Sequence, residues 1–199
     1  MSTITESFNK ANNGLGPDLA WTVYFGTAAN VGVTNNQANA QGTGETESRA
    51  DSDLASDDHY VQAVVGADYA VGFVGVLCRK DSTATRTLYR WSKFVPGSGA
   101  WELAKFVGGS ETILSSAYSS TLAAGQSFKM DANGSTIRGF HLGTQRVSVT
   151  DAAITGNLRC GIHLGDSTAA YIDSFEAGDL AGGGGAPAIG SLGLLGVGL

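Results

Sequence analysis

An all-β sandwich of two antiparallel sheets is the fold this 199-residue sequence predicts. Three observations carry the prediction. Short alternating apolar and polar runs recur at spacings of roughly ten residues, as in sandwiches and barrels. The residues between those runs are Gly, Asn and Asp, which make turns. Composition agrees: charged residues are 15%, against about 25% in ordinary soluble chains, and there are 29 Gly and only 3 Pro.

The runs justify themselves in order. Trp21 to Gly26 is the first strong one. Asp58 to Val65 alternates, Gly66-Ala67-Asp68 turns, and Val71 to Arg79 returns. In that return Val71, Phe73 and Leu77 share one face and Val74, Val76 and Cys78 the other, because successive side chains of a strand alternate. A strand apolar on both faces belongs in the middle of the sandwich. Thr85 to Phe94 and Trp101 to Phe106 flank Pro96-Gly97-Ser98-Gly99, whose residues suit a reversal. Gln126 to Met130 and Thr136 to Leu142 flank Asp131-Ala132-Asn133-Gly134, where Asn-Gly is the strongest hairpin signal in the chain. Gln145 to Thr150 follows Gly143; Cys160 to Leu164 and Ala169 to Phe175 close the body. Only Ser115 to Ala123 and Thr150 to Thr155 read as helical turns.

Several function classes fall away. A net charge of −6 with no Lys/Arg cluster argues against nucleic acid, which favours a basic face. No run is long and apolar enough for a membrane span. The N-terminus lacks the basic and apolar regions of a signal peptide. Without a secretory signal, Cys78 and Cys160 are expected as buried free thiols rather than a disulfide, and their spacing matches no metal finger.

Chemistry is hard to place on the body. Glycoside hydrolysis needs two carboxyls flanking the sugar bond. Glu45 and Glu47 have a shared-face spacing, but QGTGETESR reads as a polar loop. The acidic run Asp51, Asp53, Asp57, Asp58 offers the hard oxygen ligands that calcium takes, yet it lacks the EF-hand spacing and reads as a solvated loop. No other cofactor is expected. His59, His141 and His163 stand singly within strand patterns and read as packing residues. Neither a G-x-S-x-G elbow nor a phosphate loop occurs. Trp91, Trp101, Tyr118 and Tyr89 are the aromatic candidates for stacking on a sugar, and each is expected in the core.

A resemblance sharpens the fold. Ser7-Phe8-Asn9-Lys10-Ala11-Asn12, Gly14-Leu15-Gly16 and Trp21 resemble the start of concanavalin A-like (laminin G-like) lectin/glucanase jelly rolls of phage and bacterial proteins. Trp101-x-Leu103-x-Lys105, Gly108-Gly109 and Thr112-x-Leu114 resemble their central hairpin. Thr150-Asp151-Ala152-Ala153, Gly161-Ile162 and the run from Tyr171 to Gly178 resemble their end. The resemblance implies a jelly-roll domain over residues 1–180 and says little about activity.

Residues 181–199 form a separate arm. This segment, AGGGGAPAIGSLGLLGVGL, has no charged side chain, and eight of its nineteen residues are Gly. Ile189, Leu192, Leu194, Leu195, Val197 and Leu199 are its apolar positions, several at the period of two that suits an extended segment docked on a partner. An acidic, Gly-rich sandwich with such an arm resembles a phage virion component. The expectation is a non-enzymatic structural protein of the virion, a capsid decoration, head fibre or tail part, held through the arm to other virion proteins or to copies of itself. The alternative is a carbohydrate-binding, lectin-like module that engages surface glycans; a glycoside hydrolase ranks third.

Overall fold

The computed structural model describes residues 1–9, 19–26, 31–67, 70–95 and 99–181. Fifteen strands run through them, and no helix occurs among the described residues: β1 (Thr3–Glu6), β2 (Trp21–Phe25), β3 (Val31–Thr34), β4 (Gln37–Ala40), β5 (Thr46–Ala50), β6 (His59–Val65), β7 (Gly72–Lys80), β8 (Leu88–Val95), β9 (Ala100–Val107), β10 (Ser110–Ser119), β11 (Ser127–Asn133), β12 (Thr136–His141), β13 (Thr144–Thr150), β14 (Arg159–Gly165) and β15 (Tyr171–Asp179). They form two antiparallel sheets. Sheet A runs β13-β12-β11-β6-β15-β4-β3, with β1 also paired to β15; sheet B runs β10-β9-β8-β7-β14-β5-β2.

The expected apolar runs become the inner faces. Val74, Val76 and Cys78 of β7 meet Trp91 of β8, Leu103 of β9, Ile162 of β14 and, from sheet A, Val61, Phe128, Met130 and Ile137. The other face of β7 is buried too: Leu77 joins Leu88, Ala104 and Phe106 in a second, smaller cluster outside sheet B. β7 thus sits in mid-sheet, as its two apolar faces require. Trp91 stacks on Trp101, ring centroids 5.0 Å apart. Phe8 packs on Trp21, and Trp21 on Phe175, so the two ends of the domain share one aromatic contact. Asp179 reinforces that closure by accepting from the backbone N–H groups of Ser2, Ala55 and Ser56.

Turns show where local chemistry decides. Asn35 and Asn36 have φ of 52° and 61° between the paired residues Thr34 and Gln37. That is the two-residue turn with positive φ at both centres, which Asn tolerates. The Asn-Gly hairpin forms one residue later than expected. Asn133 pairs with Thr136, so Gly134 and Ser135 make the tip; Gly134, at φ 54°, supplies the positive first centre.

Other expectations are corrected. Ser115 to Ser119 belong to β10 rather than to a helical turn, because they pair with β9 across two bulges. Residues 151–155 are irregular, with one bend at Ala153, and form no helix. The second half of the segment read as the loop QGTGETESR, from Thr46 on, belongs to β5, which pairs β14 on one side and β2 on the other. Residues 10–18, the tips at Asp68 and at 96–98, and arm positions 182–199, including Ile189, Leu192, Leu194, Leu195, Val197 and Leu199, lie outside the described residues.

Candidate functional site

Sheet B presents one face to the core and one away from it, and the outward face carries the chemistry. Register places Glu102 (β9), Ser92 (β8), Gly75 (β7), His163 (β14) and Glu47 (β5) in one row across five strands. The rows on either side hold Phe94, Phe73 and Gly165, and Ala104, Arg90, Leu77, Gly161 and Arg49. The glycines crowd this side. A Cβ at Gly75 would sit 2.6 Å from Ser92 Cβ, one at Gly165 2.5 Å from Glu45 Cα, and one at Gly161 would collide with the Ser48 carbonyl. Glycine at these three positions lets neighbouring strands approach closely on this outward face, which also holds an open cavity and is the hollow side of the sheet.

Half of the hollow is filled by an ion network. Arg86 grips Glu47 with two parallel bonds, Nε to Oε2 at 2.9 Å and Nη2 to Oε1 at 2.5 Å. Such forked pairs are the strong class of charge-assisted bond. The same guanidinium lies 3.8 Å from the ring centroids of both Phe25 and Phe106. Arg90 reaches Glu45 at 3.5 Å, Glu47 at 3.6 Å and Glu111 at 2.8 Å. His163 Nε2 lies 3.4 Å from Glu45. His163 and Arg90 hold the Glu45 carboxyl down to about 2, against the opposing effect of burial. Burial pushes the His163 ring down, against the opposing pull of Glu45 and Glu47. Burial and the Glu47 carboxylate push the Tyr24 hydroxyl up.

Glu45 and Glu47 therefore do stand together, contrary to the loop reading, but as clamped anions. Glu47 is fully buried. A general acid needs a proton to give and contact with the glycosidic oxygen. Neither carboxylate offers that: one is walled in by Arg86, and the other is held ionised.

The other half of the hollow is open. A cavity of about 270 Å³ is lined by Phe73, Ser92, Phe94, Gly99, Ala100 and Glu102. The rings of Phe73 and Phe94 lie 4.6 Å apart at 41°, and Phe73 also leans on His163 at 5.4 Å. Phe94 is 36% exposed. Glu102 is the one titratable group among the lining residues. An apolar ring face beside a few hydroxyl and carboxylate groups is a chemistry suited to small polar ligands.

The sequence-level candidates settle elsewhere. Trp91, Trp101 and Tyr89 are buried in the core, and Tyr118 packs against it. The aromatic pair at the open pocket was missed, although Phe73 stood on the second apolar face of its strand and Phe94 lies opposite it. The acidic run is spent on the protein. Asp51 accepts from Thr22, Arg49 and Arg159; Asp53 pairs with Arg159; Asp57 takes the Gly156 N–H; Asp58 takes Gly134 N–H and Arg79. Among the described residues no group of three His, Cys, Asp or Glu is placed to hold a metal ion. His59 bridges the Ser56 carbonyl and Arg79 N–H, and His141 bridges Tyr118 and Gln126, so both are satisfied packing residues. Cys78 and Cys160 are buried free thiols whose pKa values burial raises.

Two of the residues that carried the family resemblance, Lys105 and Asp151, are structural. Lys105, third member of the Trp-x-Leu-x-Lys run, pairs with Asp151 at 2.5 Å. Asp151 also accepts from Tyr89 and from the Ala153 N–H, fixing the segment after β13. No protein-family model matches this sequence, and no curated protein matches it. Solved structures do. The carbohydrate binding module CBM66 from Bacillus subtilis superposes with a TM-score of 0.62 over 81% of this chain and 93% of its own, at 14% identity. A prokaryotic β-1,3-1,4-glucanase (lichenase) from a mouse hindgut metagenome gives 0.59 over 90% and 100%, at 10% identity. The Bacillus licheniformis β-glucanase gives 0.56 over 90% and 99%, at 12% identity. Identities this low establish the architecture and leave activity to the site. The two antiparallel sheets, with the ends of the domain closed through Trp21, are those of a concanavalin A-like jelly-roll β-sandwich.

Proposed function

We propose that this domain binds glycans without cleaving them, through the open half of the hollow face of sheet B. One observation carries the reading: the pocket joins an accessible phenyl pair, Phe73 and Phe94, to the Ser92 hydroxyl and the Glu102 carboxylate. Aromatic faces pack against the C–H face of a pyranose, while hydroxyl and carboxylate groups take its hydroxyls. Likeness to a carbohydrate-binding module and to glucanases supports the ligand class. The clamped state of Glu45 and Glu47, and a single carboxylate in the pocket, favour binding over hydrolysis.

The expected result of Phe94→Ala is loss of at least tenfold in affinity for whichever oligosaccharide a glycan array identifies, with stability to urea lowered by no more than about 1.5 kcal/mol, the worth of one aromatic pair. Phe94 is an exposed side chain, so its removal leaves the core intact. Wild-type affinity in that variant, or an array with no hit for the intact chain, sinks the proposal.

The virion role stands as a second reading, favoured by the uncharged arm with its apolar residues at period two. Deleting residues 186–199 tests it: a particle component loses incorporation, and unchanged incorporation overturns the anchoring role.

A further inference from the structure

The hollow face is asymmetric in charge, and the asymmetry names the ligand class more closely than shape does. Its cations are already taken: Arg49 by Asp51, Arg86 by Glu47, and Arg90 by Glu45, Glu47 and Glu111. Lys93 comes near from behind, but it projects to the inner face and donates to the Gly99 carbonyl. Glu102 is different. It lines the cavity and has neither a hydrogen-bond nor an ion-pair partner among the described residues.

A docked ligand strips water from that carboxylate. A buried anion is costly unless it is paired, and a neutral hydroxyl compensates it only in part. A cation compensates it better, since charge-assisted bonds are about twice as strong as neutral ones. The phenyl pair points the same way, because aromatic ring faces attract cations. Two rings and a free carboxylate around one small cavity are the elements of a cage for an organic ammonium. At about 270 Å³ the cavity falls just short of the range of drug-sized sites, roughly 300–1,000 Å³, and suits one or two sugar rings. The chain's net charge of −6 adds long-range repulsion of polyanionic glycans.

We propose that this pocket selects an amino sugar carrying a free, protonated amine, with the ammonium held between Glu102 and the ring faces of Phe73 and Phe94. The inference rests on the glycan-binding reading and deepens it. Calorimetric titration of the full chain with three probes tests both: deacetylated glucosamine trisaccharide, its N-acetylated counterpart, and a uronic-acid trisaccharide. The deacetylated sugar is expected to bind at least tenfold tighter than the acetylated one, and the uronic-acid sugar not at all. Glu102→Gln is expected to abolish that preference while retaining the weaker binding of the acetylated sugar. Asp173→Asn, which removes an exposed charge on sheet A, is expected to keep the preference and so separates the pocket from net charge. Equal binding of the two glucosamine sugars overturns the amine selection but leaves glycan binding standing. So does a preference that survives Glu102→Gln or vanishes in Asp173→Asn. Failure of all three probes together with a blank glycan array overturns the glycan reading itself.

Discussion

Replacing Glu47 by alanine is expected to destabilise the fold by about 3–5 kcal/mol, the loss typical when one member of a buried ion pair is removed. The side chain is fully buried and takes both forks of Arg86 while lying 3.6 Å from Arg90. Its removal leaves the Arg86 guanidinium between Phe25 and Phe106 with no anion. The cost comes from the orphaned charge rather than from the lost attraction. A double variant, Glu47→Leu with Arg86→Met, should therefore recover most of the stability, since apolar pairs of similar volume often replace buried ion pairs without loss. Urea unfolding of Glu47→Leu, Arg86→Met and their combination closes a cycle whose coupling term isolates the pair. A single-variant loss below about 1 kcal/mol, the range of surface pairs, would show that water already reaches this network.

Trp91→Ala is expected to cost a similar amount, about 3–5 kcal/mol, for a different reason. This indole is fully buried, stacked at 19° on Trp101, and donates from Nε1 to the Phe140 carbonyl at 3.2 Å. Deleting it leaves a cavity between the sheets that the surrounding strands cannot collapse into. The ring also explains a glycine. A Cβ at Gly139 would lie 2.8 Å from the indole, so β12 can pass over Trp91 only as glycine. Gly139→Ala should thus destabilise the wild-type protein by about 1–3 kcal/mol, the usual cost of overpacking, and much less in the Trp91→Ala background. Additive costs in thermal unfolding would refute the contact.

These two sites differ sharply in how visible they were in the chain. Trp91 and Trp101 sit in alternating apolar strands, so periodicity alone places them in the core. Glu47 sits in Thr46–Ala50, a strand whose sequence, TESRA, is polar on both faces. Its inward positions, Thr46 and Ser48, carry hydroxyls, and its outward positions, Glu47 and Arg49, carry charge. No local pattern marks such a segment as a strand. It becomes one because β14 and β2 supply its backbone bonds, and because Arg86 and Arg90 bring it counter-charge from far along the chain. The strands β1, β3 and β4, only four residues each, escaped for a related reason. Four residues are too few to show a period, and their pairing comes from distant partners.

The open pocket has the same origin. Phe73 and Phe94 are ordinary apolar residues of their strands, and Glu102 is an ordinary outward carboxylate. Register sets the two rings opposite each other and puts Glu102 beside Ser92, one row along. Arg86 and Arg90 then decide which carboxylates are consumed and which stays free.

The sequence by itself determined the all-β class, the inner faces of the long strands, the two-sided burial of β7, and the jelly-roll identity carried by Trp21, Lys105 and Asp151. Those features depend on the period-two alternation of side chains or on residues whose partners follow from the fold's own pattern. Tertiary structure alone decided that a polar stretch would be a strand, that its carboxylates would be clamped, and that one end of the hollow would stay open. Those outcomes turn on charges brought together across strands and on the close approach that glycines permit at Gly75, Gly161 and Gly165, and neither leaves a periodic trace in the chain.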